Sequence, residues 1–186
     1  PVILPIAHWR FDEGAGNLAT DCSGNGYHGT INNATWTTRS GGGNALSFNG
    51  TNANVSLPAS AFATLNNEVT FAFWAFGDPS LPTQNSPFWA GTSTGGRILN
   101  VHLPWNDSQV YFDASDRINK SATAAETEGA WVHWAFTKDA TAGTMKIFRN
   151  GILWHSGTGK TNSISTIAKA FIGSQNNTTY YPGLID

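Results

Sequence analysis

The stretch TMKIFRNGILWHSG, residues 144–157, decides the fold. Its two alternating runs meet at Asn150-Gly151, the pair preferred in a two-residue type I′ turn because both positions need positive φ. The turn predicts a hairpin in which Arg149 pairs with Ile152, Phe148 with Leu153 and Ile147 with Trp154. Both faces would then carry apolar groups, which places the hairpin in a covered inner part of a sheet.

Runs of the same kind lie on either side. IAHWRFD (6–12), NALSFNG (44–50), NVSLP (54–58), EVTFAFWAFG (68–77), RILNVHL (97–103), QVYFDAS (109–115), AWVHWAFTKD (130–139) and AFIGSQ (170–175) are short, alternating and rich in aromatic or β-branched residues. Gly, Asn, Asp, Ser and Pro clusters separate them, and none shows helical periodicity over three turns; residues 58–66 have room for one short helical turn. NALSFNGTNANVSLP (44–58) reads as a second hairpin, with Leu46 and Phe48 beside Val55 and Leu57. Many strands, long Gly/Asn loops and no repeat or linker predict one all-β domain over 1–186, a jellyroll β-sandwich of two antiparallel sheets.

Composition narrows the function. Charged residues make up 12% of the 186, against about 25% in a typical globular protein, while eight Trp stand among abundant Gly, Asn, Ser and Thr. A net charge of -2 without a Lys/Arg cluster offers nothing to a phosphate backbone, so nucleic acid is excluded as a partner. Cys22 is the only cysteine, which rules out an intrachain disulfide and a Cys-rich zinc site. No apolar run approaches the roughly 20 residues of a membrane span, and PVILPIAHW lacks the basic start of a signal peptide. A soluble chain is expected, with any targeting segment outside it. Seven Asn-X-Ser/Thr sequons, at Asn33, Asn49, Asn54, Asn106, Asn119, Asn176 and Asn177, are compatible with a secreted or cell-surface origin.

In order, AHWRFDEGAGN (7–17), DCSGNGYHGTI (21–31), ALSFNGTNANVSLP (45–58), WVHWAFTKDATAGTMKIFRNGI (131–152) and GLID (183–186) resemble the laminin-G-like jellyroll domains of the concanavalin A-like lectin and glucanase superfamily. The resemblance covers nearly the whole chain. It implies the jellyroll fold, a structural role for His133, and a calcium ion tying the start of the domain to its end. The chain departs from the family in two places. Asn49 stands where Asp is usual, and family members run on past GLID into a further strand, so the domain is expected to lack its last strand.

Catalysis finds little support. Glycoside hydrolysis needs two carboxyl groups about 5–10 Å apart, but Asp12-Glu13 precedes a Gly turn, Glu126 and Glu128 lie in a polar loop, and Asp113 and Asp116 are spaced to leave opposite faces of a strand. His8, His28, His102, His133 and His155 accompany no Gly-X-Ser-X-Gly turn. Calcium is the better metal. TDCSGNGYHG (20–29) offers Asp21 with Ser23 and Asn25, the residues from Asn25 to His28 would donate mainly carbonyls, and Asp186 would bring a second carboxylate. The same residues could instead cap a turn through their own backbone.

Trp9, Trp74 and Trp134 stand in apolar strands and are expected in the core, with Trp131 and Trp154 core or half covered. Trp36, Trp89 and Trp105 have polar or turn-forming neighbours. In RILNVHLPWNDSQVYFD (97–113), Trp105 is accompanied by Asn106, Asp107, Asn100, His102 and Arg97, the aromatic plate and polar rim that a sugar ring needs. Trp105 is either that plate or an apolar plug closing one end of the sandwich. The expected function is therefore a noncatalytic carbohydrate-binding or adhesive module of a larger extracellular protein. A structural or protein-interaction spacer and a polysaccharide-active enzyme of the same fold are the alternatives.

Overall fold

A computed structural model of the chain describes residues 4–39 and 41–186; Pro1, Val2, Ile3 and Ser40 of the expected domain lie outside the described residues. The strands in chain order are β1 (Leu18–Ala19), β2 (Gly29–Asn32), β3 (Thr35–Thr38), β4 (Asn44–Asn49), β5 (Asn54–Leu57), β6 (Glu68–Gly77), β7 (Phe88–Gly91), β8 (Arg97–His102) and β9 (Gln109–Ala114). They continue with β10 (Asp116–Ser121), β11 (Trp131–Asp139), β12 (Thr144–Arg149), β13 (Ile152–Thr158), β14 (Lys169–Ile172), β15 (Ser174–Gln175), β16 (Thr179–Tyr180) and β17 (Pro182–Ile185). One sheet has the order β1-β2-β5-β14-β7-β8-β9-β10, the other β13-β12-β11-β6-β17-β4-β3, and β15-β16 form a small ribbon. The two large sheets are antiparallel throughout and pack face to face as a jellyroll sandwich. The helical turn expected within 58–66 is a 3₁₀ turn at Ala59–Phe62.

Phenylalanines join the sheets. Phe71 of β6 and Phe136 of β11 stack at 5.2 Å, and Phe112 of β9 in the opposite sheet meets both, at 5.7 and 5.3 Å. An ion pair crosses the same gap. Lys138 of β11, whose side chain is fully buried, reaches Asp116 of β10 at 2.6 Å, and Asn162 supplies two further hydrogen bonds to that carboxylate. These bonds hold Asp116 below the usual carboxylate range although burial alone would raise it.

Several expectations need correction. The 144–157 hairpin forms with its type I′ turn, Asn150 at φ 50° and Gly151 at φ 78°, but β13 is an edge strand, and Ile152 and Leu153 are 74% and 52% exposed. The third pair is Ile147 with His155, because a bulge leaves Trp154 unpaired. The bulge turns Trp154 edge-on against Trp134 at 5.5 Å, where its indole N–H bonds Glu126. NALSFNGTNANVSLP is not a hairpin, since β4 and β5 belong to different sheets. The Asn49 carboxamide accepts the amides of Thr51, Asn52 and Ala53, and this tight turn carries the chain from one sheet to the other. IAHWRFD contributes only a bridge between Trp9 and Asp21. Trp74 is 39% exposed, because Phe71, Phe73 and Ala75 alternate with it toward the core. Trp89, with its polar neighbours, is fully buried.

Two substitutions test this frame. Gly151→Val should destabilise the domain by about 1–3 kcal/mol in denaturant melts through backbone strain alone, as a side chain there meets open space. Asp116→Ala, which leaves the buried Lys138 ammonium uncompensated, should cost about 3–5 kcal/mol.

Candidate functional site

The site lies on the outer side of the eight-stranded sheet at β7–β10. Phe112 and its cross-strand partner Val101 face the core, so strand alternation turns Asn100, His102, Tyr111 and Asp113 to the opposite side. There they form a buried polar network. Asn100 accepts from the Ser86 hydroxyl at 2.7 Å and donates to His102 Nε2 at 3.0 Å and Asp113 at 3.3 Å. Arg117 of β10 holds both oxygens of Asp113, at 2.5 and 3.1 Å, and Arg97 lies 3.8 Å from the same carboxylate. That interaction keeps Arg117 firmly charged.

His102 is the pivot. Its Nδ1 meets the Asn85 carbonyl, which assigns the proton to Nδ1 and leaves Nε2 to accept from Asn100. Burial pushes its pKa down to about 4, outweighing the Asn85 carbonyl and the Asp113 charge, so the ring is neutral at physiological pH. Above it, Trp105 lies with ring centroids 4.2 Å apart and planes at 50°, and Tyr111 stands edge-on at 5.8 Å.

The 105–109 loop is short and braced. Trp105 N–H donates to the Gln109 carbonyl, and Ser108 N–H to that of Trp105, both at 2.9 Å. Asp107 accepts the Gln109 amide at 3.0 Å and the Tyr111 hydroxyl at 2.6 Å. The second bond raises the pKa of Tyr111. Trp105 is thus half-buried, with one face on His102.

Of the residues singled out from the sequence, Arg97, Asn100, His102 and Trp105 form one contiguous group, Asp107 joins it through Tyr111, and Asn106 is exposed at the loop tip. Sequence reading missed Tyr111, Asp113 and Arg117 as members. Tyr111 and Asp113 have the parity of Asn100 and His102 once β8 and β9 are paired. Arg117 lies in DRINKS (116–121), whose lack of apolar alternation hides a strand.

The expected calcium ligands make hydrogen bonds and an ion pair of their own. Asp21 Oδ1 accepts the amides of His8 and Ser23, and Oδ2 the Ser23 hydroxyl and the Tyr27 amide. Burial raises its pKa, but these bonds together lower it to about 2. His28 Nδ1 accepts the Asp21 amide, and Asn25 donates its carboxamide to Ile6. Asp186 is ion-paired with Arg39, although burial keeps its pKa above the usual value. Among the described residues no three His, Cys, Asp or Glu side chains converge. Asp21, Asn25 and His28 pin the N-terminal segment as a turn cap.

Among the described residues, Asp113 is held by Arg117, Asp116 by Lys138 and Asn162, and Glu126 by Thr123 and Trp154. His133 packs edge-on against Trp74 at 5.3 Å.

No curated protein matches the chain. Among solved structures, domain 4 of an extracellular GH43 arabinanase from Geobacillus stearothermophilus, in complex with arabinotriose, superposes with a TM-score of 0.73 at 20% identity over 97% of this chain and 88% of that one. The botulinum neurotoxin serotype D binding domain gives 0.71 at 12% identity, covering 98% of this chain and 46% of its own. Trypanosoma rangeli sialidase in complex with the inhibitor DANA gives 0.65 at 18%, covering 94% and 28%. The chain therefore spans under half of the latter two, and at these identities the likeness is one of fold. A model of the concanavalin A-like lectin/glucanases superfamily matches residues 49–186, and the chain belongs to that superfamily.

Proposed function

We propose that the chain is a noncatalytic carbohydrate-binding module of a larger extracellular protein, and that it takes glycan at the Trp105–Tyr111 rim. The observation that carries this reading is the half-buried Trp105, fixed on the neutral His102 ring and bordered by Tyr111, Asp107 and Arg97. A sugar presents C–H groups on one face and hydroxyls around it. An indole held by packing offers the first a rigid apolar surface, while carboxylate, phenol and guanidinium offer the second donors and acceptors. The buried network beneath fixes these groups before a ligand arrives, which reduces the ordering cost of binding. The domain bound to arabinotriose in the arabinanase makes arabino-oligosaccharides the first probes, followed by a general glycan array.

Trp105→Ala should lower affinity for the bound glycan by tenfold or more, read by calorimetric titration, and shift the melting temperature only modestly. A stability loss of about 3–5 kcal/mol, with no glycan bound by the parent chain, would instead make Trp105 a plug and the domain a spacer.

His102 gives a second test. Its folded pKa of about 4 lies below the unfolded value of about 6.5, so its contribution to stability is complete above about pH 6.5 and declines as pH falls toward 4. A melting profile of His102→Gln should lack that component, and glycan affinity in the parent should be flat from about pH 5.5 to 8.

A further inference from the structure

The outer side of β8–β10 carries two guanidinium groups above one buried carboxylate. Arg117 grips both oxygens of Asp113, at 2.5 and 3.1 Å, and the Asn100 amide bonds the same group at 3.3 Å. The buried charge is therefore compensated without Arg97. Arg97 stands farther off. Its Nη1 lies 3.8 Å from Asp113 and 3.5 Å from His102 Nε2, at the outer limit of hydrogen bonding, and that Nε2 already accepts from Asn100 at 3.0 Å. The Arg97 side chain is 40% exposed, and its cross-strand partner on β7 is Gly91, which brings no side chain to it. Among the described residues no other carboxylate comes within ion-pair distance of Arg97. Its fork of donors is almost unspent.

The position of that fork matters. Trp105 and Arg97 rest on the same imidazole, the indole with ring centroids 4.2 Å apart and the guanidinium against Nε2. A sugar ring lying on Trp105 thus has Arg97 at its border. The other acid of the rim, Asp107, is taken up by the Tyr111 hydroxyl at 2.6 Å and the Gln109 amide at 3.0 Å. The rim is therefore polarised, with an engaged carboxylate at the loop and a free guanidinium at the start of β8. Hydroxyls alone can be recognised by amides and carboxylates. A guanidinium adds a positive charge and a planar pair of N–H groups, which match a carboxylate.

We propose that the site selects glycans bearing a carboxylate, and that Arg97 binds that carboxylate while the sugar ring stacks on Trp105. The proposal rests on the glycan reading of the Trp105 rim and adds to it the charge class of the ligand. It also fixes the ligand's direction, with the acidic group toward Arg97 and away from Asp107. Arg97 is a specificity residue here, because neutral sugars meet the same plate and the same Tyr111 border without engaging its charge.

Calorimetric titration tests this with two matched pairs, trigalacturonate against its full methyl ester and sialyllactose against lactose. The acidic member of at least one pair should bind about tenfold more tightly. The pair that shows the preference tells whether the carboxylate sits on an in-chain uronate or on a terminal sialic acid. In Arg97→Gln the ratio should fall to about one, and Arg97→Lys, which keeps the charge but not the fork, should retain only part of it. Lys169 is exposed on β14 and lies two strands from Arg97 across Gly91, so Lys169→Gln should leave the ratio unchanged. Trp105→Ala should weaken both members of a pair alike, which separates loss of the plate from loss of the charge. Binding of both members with a ratio near one in the parent overturns this proposal and leaves the Trp105 reading standing. A preference that survives Arg97→Gln, or that Lys169→Gln abolishes, overturns the assignment to Arg97. Failure of all four sugars to bind also overturns it, and the glycan reading falls as well only if the arabino-oligosaccharides and the array are silent too.

Discussion

The contact of Phe112 with Phe71 and Phe136 sets the orientation of nearly everything else. It is the place where the two sheets grip one another, through large rings in tilted and edge-on arrangements that add to simple burial. Once Phe112 faces inward, the strand period of two leaves Tyr111 and Asp113 no choice but the outer side, and pairing with β8 adds Asn100 and His102 to them. On the other sheet the inward Phe71 and Phe73 turn Trp74 out toward His133 and Arg39. A one-residue slip of β9 would exchange the polar network for the core, which makes register here very strongly specified.

The network is costly to bury and correspondingly complete. Asp113 is compensated by the paired bonds of Arg117 and by Asn100, and His102 avoids the cost of a buried charge by remaining neutral. The rim above it therefore rests on a rigid base. Trp105 owes its fixed position to the His102 ring below and to the turn that Asp107 closes.

Much of this was legible in the sequence, and the failures are instructive. EVTFAFWAFG and AWVHWAFTKD announce their strands, and Asn150-Gly151 announces its turn, because each signal is local. The clustering of Arg97, Asn100, His102 and Trp105 was legible for the same reason, as they share one strand and its loop. Asp113 and Arg117 became partners only through the β9–β10 register, which no single run encodes. NALSFNGTNANVSLP misled because a hairpin and a crossing between sheets share one apolar pattern. What separates them is the carboxamide of Asn49 gathering three amides into a sharper turn. Trp89 misled in the opposite direction, since its polar neighbours say nothing of the Phe171 ring stacked over it from β14.

The polar seam at β2 and β5 bears on how the protein can be made. Asn54 is 95% shielded, accepts from Asn32 and donates its carboxamide nitrogen to Asn177, yet Asn54-Val55-Ser56 is an acceptor sequence for N-linked oligosaccharide. An oligosaccharide joined to that nitrogen during translocation would have to be forced into a seam where the sheet is already closed. Secretion through a compartment that glycosylates nascent chains thus competes directly with folding at this one side chain. A host without that machinery, or Asn54 protected by replacing Ser56, removes the competition before the strand is formed.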